Sequence, residues 1–463
     1  MLKKPIVSLT LAATLSIGAF GLQPAFAQSS EVGYHHVQDH FDKKLLKKID
    51  AEKIYQNIDY LSKVPRVAGT DSEENAVHYI KEQFELYGYE VDIQPFTFYG
   101  YTPPTAIELS VVGQQGEYAP RAFTYSVSGN VTGELVDAGL GKQEDLQGRD
   151  LTGKIALVER GEISFSEKVL NAAEKGAVGV IIYNHSDGPL SGTLGEHNDD
   201  FVPAVALSKE EGEALSSELG NAVNITIEGA ETGEKTSHNV IATKHPKNKT
   251  KATDDIIVVG SHHDSVAGAP GANDDASGTA MTLELARVLK NEQTDTEIRF
   301  ITFGAEEVGL LGSSHYVETL SEDEIDHTVA NFNLDMVGSK DAGDLVMLTL
   351  DGKPNLVTEL AQKSSEKLNG EATPYGQGGR SDHVPFAEVG IPAALFIHSP
   401  SEPWYHTPED TIDKISKEKL QDVAEIVGSA VYDRARVDYK GPKAKKGPKL
   451  KAKEEMFYEQ EMK

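Results

Sequence analysis

From Ile256 the chain reads Ile-Ile-Val-Val before Gly260, an apolar run made entirely of β-branched residues. A half-exposed strand alternates polar and apolar side chains, so an unbroken run predicts a strand covered on both faces. Helix and strand patterns then alternate along the chain. Ser277 to Lys290 carries helical spacing, Glu297 to Phe303 alternates as a strand, and a helix is expected near Leu310 to Leu320. Strands are expected at Ala330 to Val337, Leu345 to Leu350 and Ala393 to Ile397, with a helix at Asn355 to Leu368. A closing helix places Leu420, Val423, Ala424, Val427 and Val431 on one face. Strands alternating with helices predict an α/β fold, a mostly parallel central sheet covered by helices on both faces.

The same pattern opens earlier. Ala76, Val77, Ile80, Phe84 and Tyr87 recur at helical spacing before Gly88, and Val91 to Phe98 alternates as strand sequence does. Residues 52–125 and 237–435 are therefore assigned to one domain. Between them, residues 126–236 form a strand-rich module with no cluster of histidines and carboxylates at ligand spacing, and a covering role is expected of it.

Both ends differ from this body. Met1-Leu2-Lys3-Lys4, the apolar run from Ile6 to Leu22 and Ala25-Phe26-Ala27 make residues 1–27 a secretory signal peptide. No later stretch approaches the ~20 apolar residues of a membrane helix, so a secreted protein without a transmembrane segment is expected. Residues 28–51 are read as a mobile N-terminal segment. Residues 436–463 are read as a basic, disordered tail, its Lys440, Lys443, Lys445, Lys446, Lys449, Lys451 and Lys453 expected to be solvated or removed with the tail, with an anionic cell wall as the alternative partner.

Composition narrows the chemistry. There is no cysteine, so a disulfide framework, a thiolate nucleophile and a thiolate metal site are all excluded. With 44 Lys and Arg against 73 Asp and Glu, the formal charge is −29. Such a surface repels phosphate backbones, and nucleic acid is not an expected partner.

The informative residues stand where the predicted strands end. His262 comes soon after the Ile256–Val259 run, with Asp264 two residues on, near enough to accept the second imidazole N–H and fix its tautomer. Asp274 and Asp275 lie in the loop before the next helix, where a helix cap is the competing role for either. Glu306 and Glu307 come after the strand ending at Phe303, and Asp335 is flanked by apolar residues. A second histidine, His406, lies in the turn-rich Trp404-Tyr405-His406-Thr407-Pro408. Buried carboxylates need compensation, and cations supply it. Oxygen and imidazole ligands suit zinc, with manganese or cobalt as substitutes. Glu306 and Glu307, as sequence neighbours, are expected to divide the work, one on metal and one handling a proton.

In order, His262-x-Asp264, Asn273-Asp274-Asp275, Gly304-Ala305-Glu306-Glu307, Asp335-Met336 and Tyr405-His406 resemble the motifs of the double-zinc aminopeptidases of the Streptomyces and Aeromonas type. The intervening module is similar to a protease-associated domain. The resemblance implies two zinc ions, one on His262, Asp274 and Asp335, the other on Asp274, Glu307 and His406. It implies Glu306 as general base, Tyr405 as oxyanion donor, Arg380 in the segment Gly379–His383, which reads as a strand, as a substrate contact, and a cis peptide at Asp274–Asp275. Peptides with a free N-terminus would be the substrates. A glutamate-carboxypeptidase activity and a glutaminyl cyclase activity use related architectures and stand as alternatives. His263 departs from the apolar residue expected at its position and is read as structural.

Overall fold

The computed structural model describes residues 43–114, 118–195, 197–247, 250–437, 439–441 and 446–451. The signal-peptide reading and much of the tail reading fall outside them. In chain order come α1 (Ala51–Leu61), α2 (Asp71–Leu86), β1 (Glu90–Thr102), β2 (Ala106–Val111), β3 (Arg121–Ala122), β4 (Gly129–Asp137) and β5 (Ile155–Glu159). Next are α3 (Phe165–Glu174), β6 (Gly179–Tyr183), β7 (Ala204–Leu207), α4 (Lys209–Ser216), β8 (Ala222–Glu228), β9 (Glu231–Lys244), β10 (Ile256–His262), α5 (Ala276–Leu289) and β11 (Glu297–Phe303). The chain continues through α6 (Leu311–Thr319), α7 (Glu322–His327), β12 (Thr328–Leu334), β13 (Asp344–Thr349), α8 (Leu356–Asn369), β14 (Tyr375–Gln377), α9 (His383–Glu388), β15 (Ala393–Ser399) and α10 (Lys417–Ala435).

Two sheets result. The larger has the order β1-β9-β11-β10-β12-β15-β13-β14, the smaller β2-β8-β4-β5-β6-β7-β3. In the larger, β11, β10, β12 and β15 run parallel, while β1, β9 and β13 pair antiparallel, so the sheet is mixed with a parallel centre. The Ile256–Val259 run fills both faces as its composition requires. Ile257 and Val259 join a core with α1, α2, α5, α8 and α10, whereas Ile256 and Val258 join one with α6 and α9. The chain passes from β10 to β11 on one side and then to β12 on the other. That reversal opens a crevice at the strands' carboxyl ends.

The smaller sheet begins at Ala106, ahead of the boundary read at residue 126, because β2 and β3 pair with β8 and β7. It ends at Glu228. β9 already belongs to the larger sheet, where it forms a two-stranded ribbon with β1 that pairs from Glu90↔Thr243 to Thr102↔Glu231. This ribbon connects the two sheets at both of the chain's crossings, and composition gives no mark of such a shared element.

Three other expectations change. Gly379–His383 is not a strand: Gly378 and Gly379 take φ of 139° and 81°, which turns the chain into α9. Residues 43–50, assigned to the mobile segment, are part of the fold, with Leu45 fully buried and Ile49 7% exposed in the main core. In the tail, Lys446–Lys451 lies along the domain, where the Gly447 N–H donates to the Gly390 carbonyl at 3.0 Å and Leu450 packs against the α6–α9 core. Among the described residues no helix is long and apolar enough to cross a membrane.

Asp50 caps α1 through the Glu52 N–H and donates its own N–H to Glu284 at 2.8 Å. Burying a Leu or Ile side chain stabilises by about 1.5–3 kcal/mol and a cap by about 1 kcal/mol. A chain beginning at Ala51 should therefore unfold several degrees below one beginning at Lys43 in a thermal melt. Equal midpoints would show that these residues add nothing to the core.

Candidate metal centre

Four of the acidic and imidazole residues arrive on the parallel centre of the sheet. His262 is the last residue of β10, Asp335 comes directly after β12, and Glu306 and Glu307 come after β11 across a tight turn. Gly304 in that turn is obligatory, since a Cβ there would meet Ser237 Oγ at 2.2 Å. Asp274 lies just before α5, and the helix is drawn so close to β12 that a Cβ on Gly278 would stand 2.2 Å from the Leu334 carbonyl. Ala305, Met336 and His406 all adopt left-handed φ, at 54°, 55° and 58°. For residues other than glycine that costs about 1–3 kcal/mol each, and such strain gathers where function fixes the backbone. The Asp274–Asp275 peptide is cis.

Asp274 sits between the two histidines. Its Oδ1 lies 3.1 Å from His262 Nε2 and its Oδ2 3.2 Å from His406 Nε2. On one side, Asp335 Oδ1 is 3.6 Å from His262 Nε2; on the other, Glu307 Oε2 is 3.0 Å from His406 Nε2. The ligand atoms of His262, Asp274 and Glu307 fall within 4.8 Å of one another, as do those of His262, Glu306 and Asp335. Both Glu307 Oε1 and Asp335 Oδ1 are buried without a hydrogen-bond donor. Two imidazoles and several carboxylates with undonated oxygens make a donor set that suits zinc.

The electrostatics point the same way. Burial pushes the Glu307 carboxyl up to about 7, helped by the charge of Asp274 and opposed by His406. Burial also lifts Glu306 well above the carboxylate range, with His262 opposing and Glu307, Asp382 and Asp335 adding to it. Burial would lower His406, yet Asp274 and Glu307 hold it up at about 10. So many carboxylates in one crevice leave negative charge that two histidines do not balance, and cations would.

A second ring of groups holds this arrangement. Asp264 accepts the N–H groups of Glu306 and Glu307 at 3.1 and 3.2 Å and faces His262 Nδ1 at 3.5 Å. Asp275 accepts from the amides of His262, Gly278 and Met336, tying β10, α5 and the turn after β12 together. Ser381 donates to Asp335 Oδ2 at 2.7 Å. Arg66, only 1% exposed, donates to the carbonyls of Leu61, His263, Pro270 and Gly271 and so closes the loop between His262 and Asp274. His263 points away from the crevice, its Nδ1 3.1 Å from Thr302 Oγ1 and its Nε2 3.5 Å from Glu73, in agreement with a structural reading. Tyr405 stacks on His406 with ring centroids 3.8 Å apart. Arg380 stands exposed at the surface, one residue from Ser381.

The crevice therefore gathers the five expected ligand residues together with Glu306 and Asp264, while Arg380 stays outside the cluster. Missed in the sequence were Arg66 and Asp275 in its tethering role. Nothing in their local sequence separates them from ordinary turn and cap residues.

A sheet of this order, carrying this cluster at its carboxyl edge and a second domain on a ribbon, defines a metallopeptidase. The family model "Peptidase family M28" matches residues 239–431, and the PA domain model matches 131–215. The chain belongs to family M28, among its double-zinc aminopeptidases with an inserted PA domain. It is 40% identical to aminopeptidase YwaD of Bacillus subtilis over 97% of this chain and 98% of that protein. The aminopeptidase of Aneurinibacillus sp. strain AM-1 has a solved structure with 56% identity and a TM-score of 0.79, covering 87% of this chain and 98% of that one. The zinc aminopeptidase of Bacillus subtilis gives 42% and 0.72, covering 85% and 97%.

Two outcomes are expected. Asp264→Asn keeps the volume but loses one acceptor for the Glu306 and Glu307 amides, and zinc affinity measured by chelator competition should fall about 10–100-fold. Arg66→Met takes the side-chain donor from four carbonyls, of which only Gly271 keeps another among the described residues, the Ala276 N–H at 3.1 Å, and denaturant unfolding should show a loss on the order of 3–5 kcal/mol.

Proposed function

We propose that the chain is exported and removes N-terminal residues from peptides by hydrolysis in this crevice. The observation that carries the reading is the placement of one carboxylate, Asp274, between His262 and His406, with Asp335 and Glu307 completing a set on either side. His262, Asp274 and Asp335 would hold one zinc ion, and Asp274, Glu307 and His406 the second. Zinc held there supplies Lewis acidity, polarising the scissile carbonyl and making a water nucleophilic near neutral pH.

The chain's own groups divide the remaining work. Glu306 takes the proton from the attacking water and passes it to the departing amine. Its backbone is fixed by Asp264, and its carboxyl lies beside His262 and Asp335. Burial, with the charges of Asp274, Glu307, Glu306 and Asp335, holds the Tyr405 phenol above its ordinary range. It therefore stays protonated and can donate to the developing oxyanion. The acids of the crevice favour a free α-ammonium, and Arg380 at its edge is assigned to the substrate's more distant part.

The alternatives fit less well. A carboxypeptidase needs a basic pocket for the terminal carboxylate, whereas the buried Arg66 spends its hydrogen bonds on four main-chain carbonyls and Arg380, a single exposed cation outside the ligand cluster, makes no such pocket. A glutaminyl cyclase works with a single zinc, and a carboxylate shared by two histidines is suited to two. Export rests on the signal-peptide sequence of residues 1–27.

The test is release of p-nitroaniline from Leu-, Arg- and N-acetyl-Leu-p-nitroanilide. Both free-amine substrates should be cleaved and the acetylated one should not. Chelation should abolish release and zinc restore it, while Glu306→Gln should lower kcat by a factor of about 10²–10⁴ with zinc still bound. Cleavage that survives chelation, or that Glu306→Gln leaves at its full rate, would refute the assignment.

A further inference from the structure

His262, Glu307 and Asp335 each lie at or just beyond the end of a strand of the parallel centre, whose hydrogen bonds hold them in place. His406 has no such support. It lies on the long excursion between β15 and α10, it is 36% exposed, and its φ is 58°. Yet this loop is pinned on either side of it by two buried carboxylates. Four residues before His406, Glu402 (4% exposed) accepts from Asn273 Nδ2 at 2.7 Å. Four residues after it, Asp410 (1% exposed) accepts the N–H groups of Asn273 and Asp274 at 2.8 and 3.1 Å, and its carbonyl accepts from the Ala272 N–H at 3.2 Å.

Both pins therefore grip one dipeptide, and that dipeptide contains the aspartate between the histidines. Asn273 is itself anchored, accepting from the Gly338 N–H through Oδ1 at 2.9 Å and from Ser277 Oγ through its carbonyl at 2.7 Å. A buried carboxylate accepting two main-chain amides is a strong, directional tie. Between the pins, Trp404 Nε1 donates to Asp341 at 2.9 Å and the Thr407 N–H donates to the Trp404 carbonyl at 3.0 Å, so the arch carrying Tyr405 and His406 is also braced within itself and to the turn before β13.

We propose that Glu402 and Asp410 are positioning residues for the metal position at His406 and Glu307: they lock the His406 arch onto Asn273–Asp274 and so set the distance between the two halves of the centre. Removing either pin frees His406, while His262 and Asp335 stay at the ends of their strands and Asn273, through Gly338 and Ser277, keeps Asp274 beside them. The ion on the His406 side is then lost first. The assignment rests on the two-zinc reading above.

The experiment uses the purified full chain loaded with zinc and dialysed against graded chelator, with bound zinc counted by atomic emission. Asp410→Asn can accept only one of its two amides, and Glu402→Leu none. Each should release one ion at a free-zinc level about 10–100-fold higher than the unsubstituted chain does, and keep the other as tightly. Without added zinc kcat should fall at least about tenfold with KM within about twofold, and added zinc should restore it. Glu402→Gln retains an acceptor for Asn273 and should behave as the unsubstituted chain, which a general loss of packing would not explain. Should Glu402→Leu not fold, Asp410→Asn and Glu402→Gln decide between them. Release of both ions together, or of neither, by a folded Asp410→Asn would overturn the proposal. An unsubstituted chain that holds fewer than two zinc ions would sink the two-zinc reading itself, and the proposal with it.

Discussion

The mutual repulsion of carboxylates crowded at one edge of a sheet is the constraint to which the rest of this structure responds. Asp274, Glu306, Glu307 and Asp335 converge on a single crevice, and buried charge of one sign is costly unless something compensates it. The chain builds the frame for these acids from further acids. Asp264 takes two amides from the turn after β11, Asp275 takes amides from β10, α5 and the turn after β12, and Asp410 takes two from the loop before α5. Each frame aspartate spends its charge on main-chain donors. The acids inside the ring keep oxygens free, as Glu307 and Asp335 show, and those oxygens are what a cation would neutralise.

The frame also joins parts of the chain that lie far apart in sequence. Arg66, in the loop between α1 and α2, holds the segment between His262 and Asp274 through three of its carbonyls. Glu73 in α2 accepts from Gly69 N–H and from Ser237 Oγ, and faces His263. Ser237 belongs to β9, the strand that leads back from the smaller sheet. The ribbon bearing the second domain is thus tied by a buried hydrogen bond to the neighbourhood of the metal loop. The smaller sheet has cores of its own on both faces, so it can be a separate folding unit while its stalk is part of the site's surroundings.

Much of this was legible in the chain. An unbroken β-branched run marked β10, alternation marked β11, helical periodicity marked α5 and α10, and His262, Glu306, Glu307 and Asp335 stood near the ends of central strands, where a parallel sheet opens its crevice. Strand ends and helix ends fell within a few residues of the expected places. The boundaries of the second domain were less legible, because β2 and β9 are both strand sequences and only their pairing partners show that one lies in the smaller sheet and the other in the larger. Gly379–His383 read as a strand because spacing does not register the φ of two glycines.

What the sequence by itself determined is the set of elements and the chemistry they can carry: residue type and period decide which segments can be buried, and a chain without cysteine must build any metal site from nitrogen and oxygen. What only the tertiary structure decided is which acids hold the frame and which keep their oxygens free. Asp264, Asp275 and Asp410 differ from Asp274 and Asp335 in nothing that composition or periodicity records. They differ in the main-chain amides that folding brings within reach, and hydrogen bonds between segments tens or hundreds of residues apart leave no local mark on the chain.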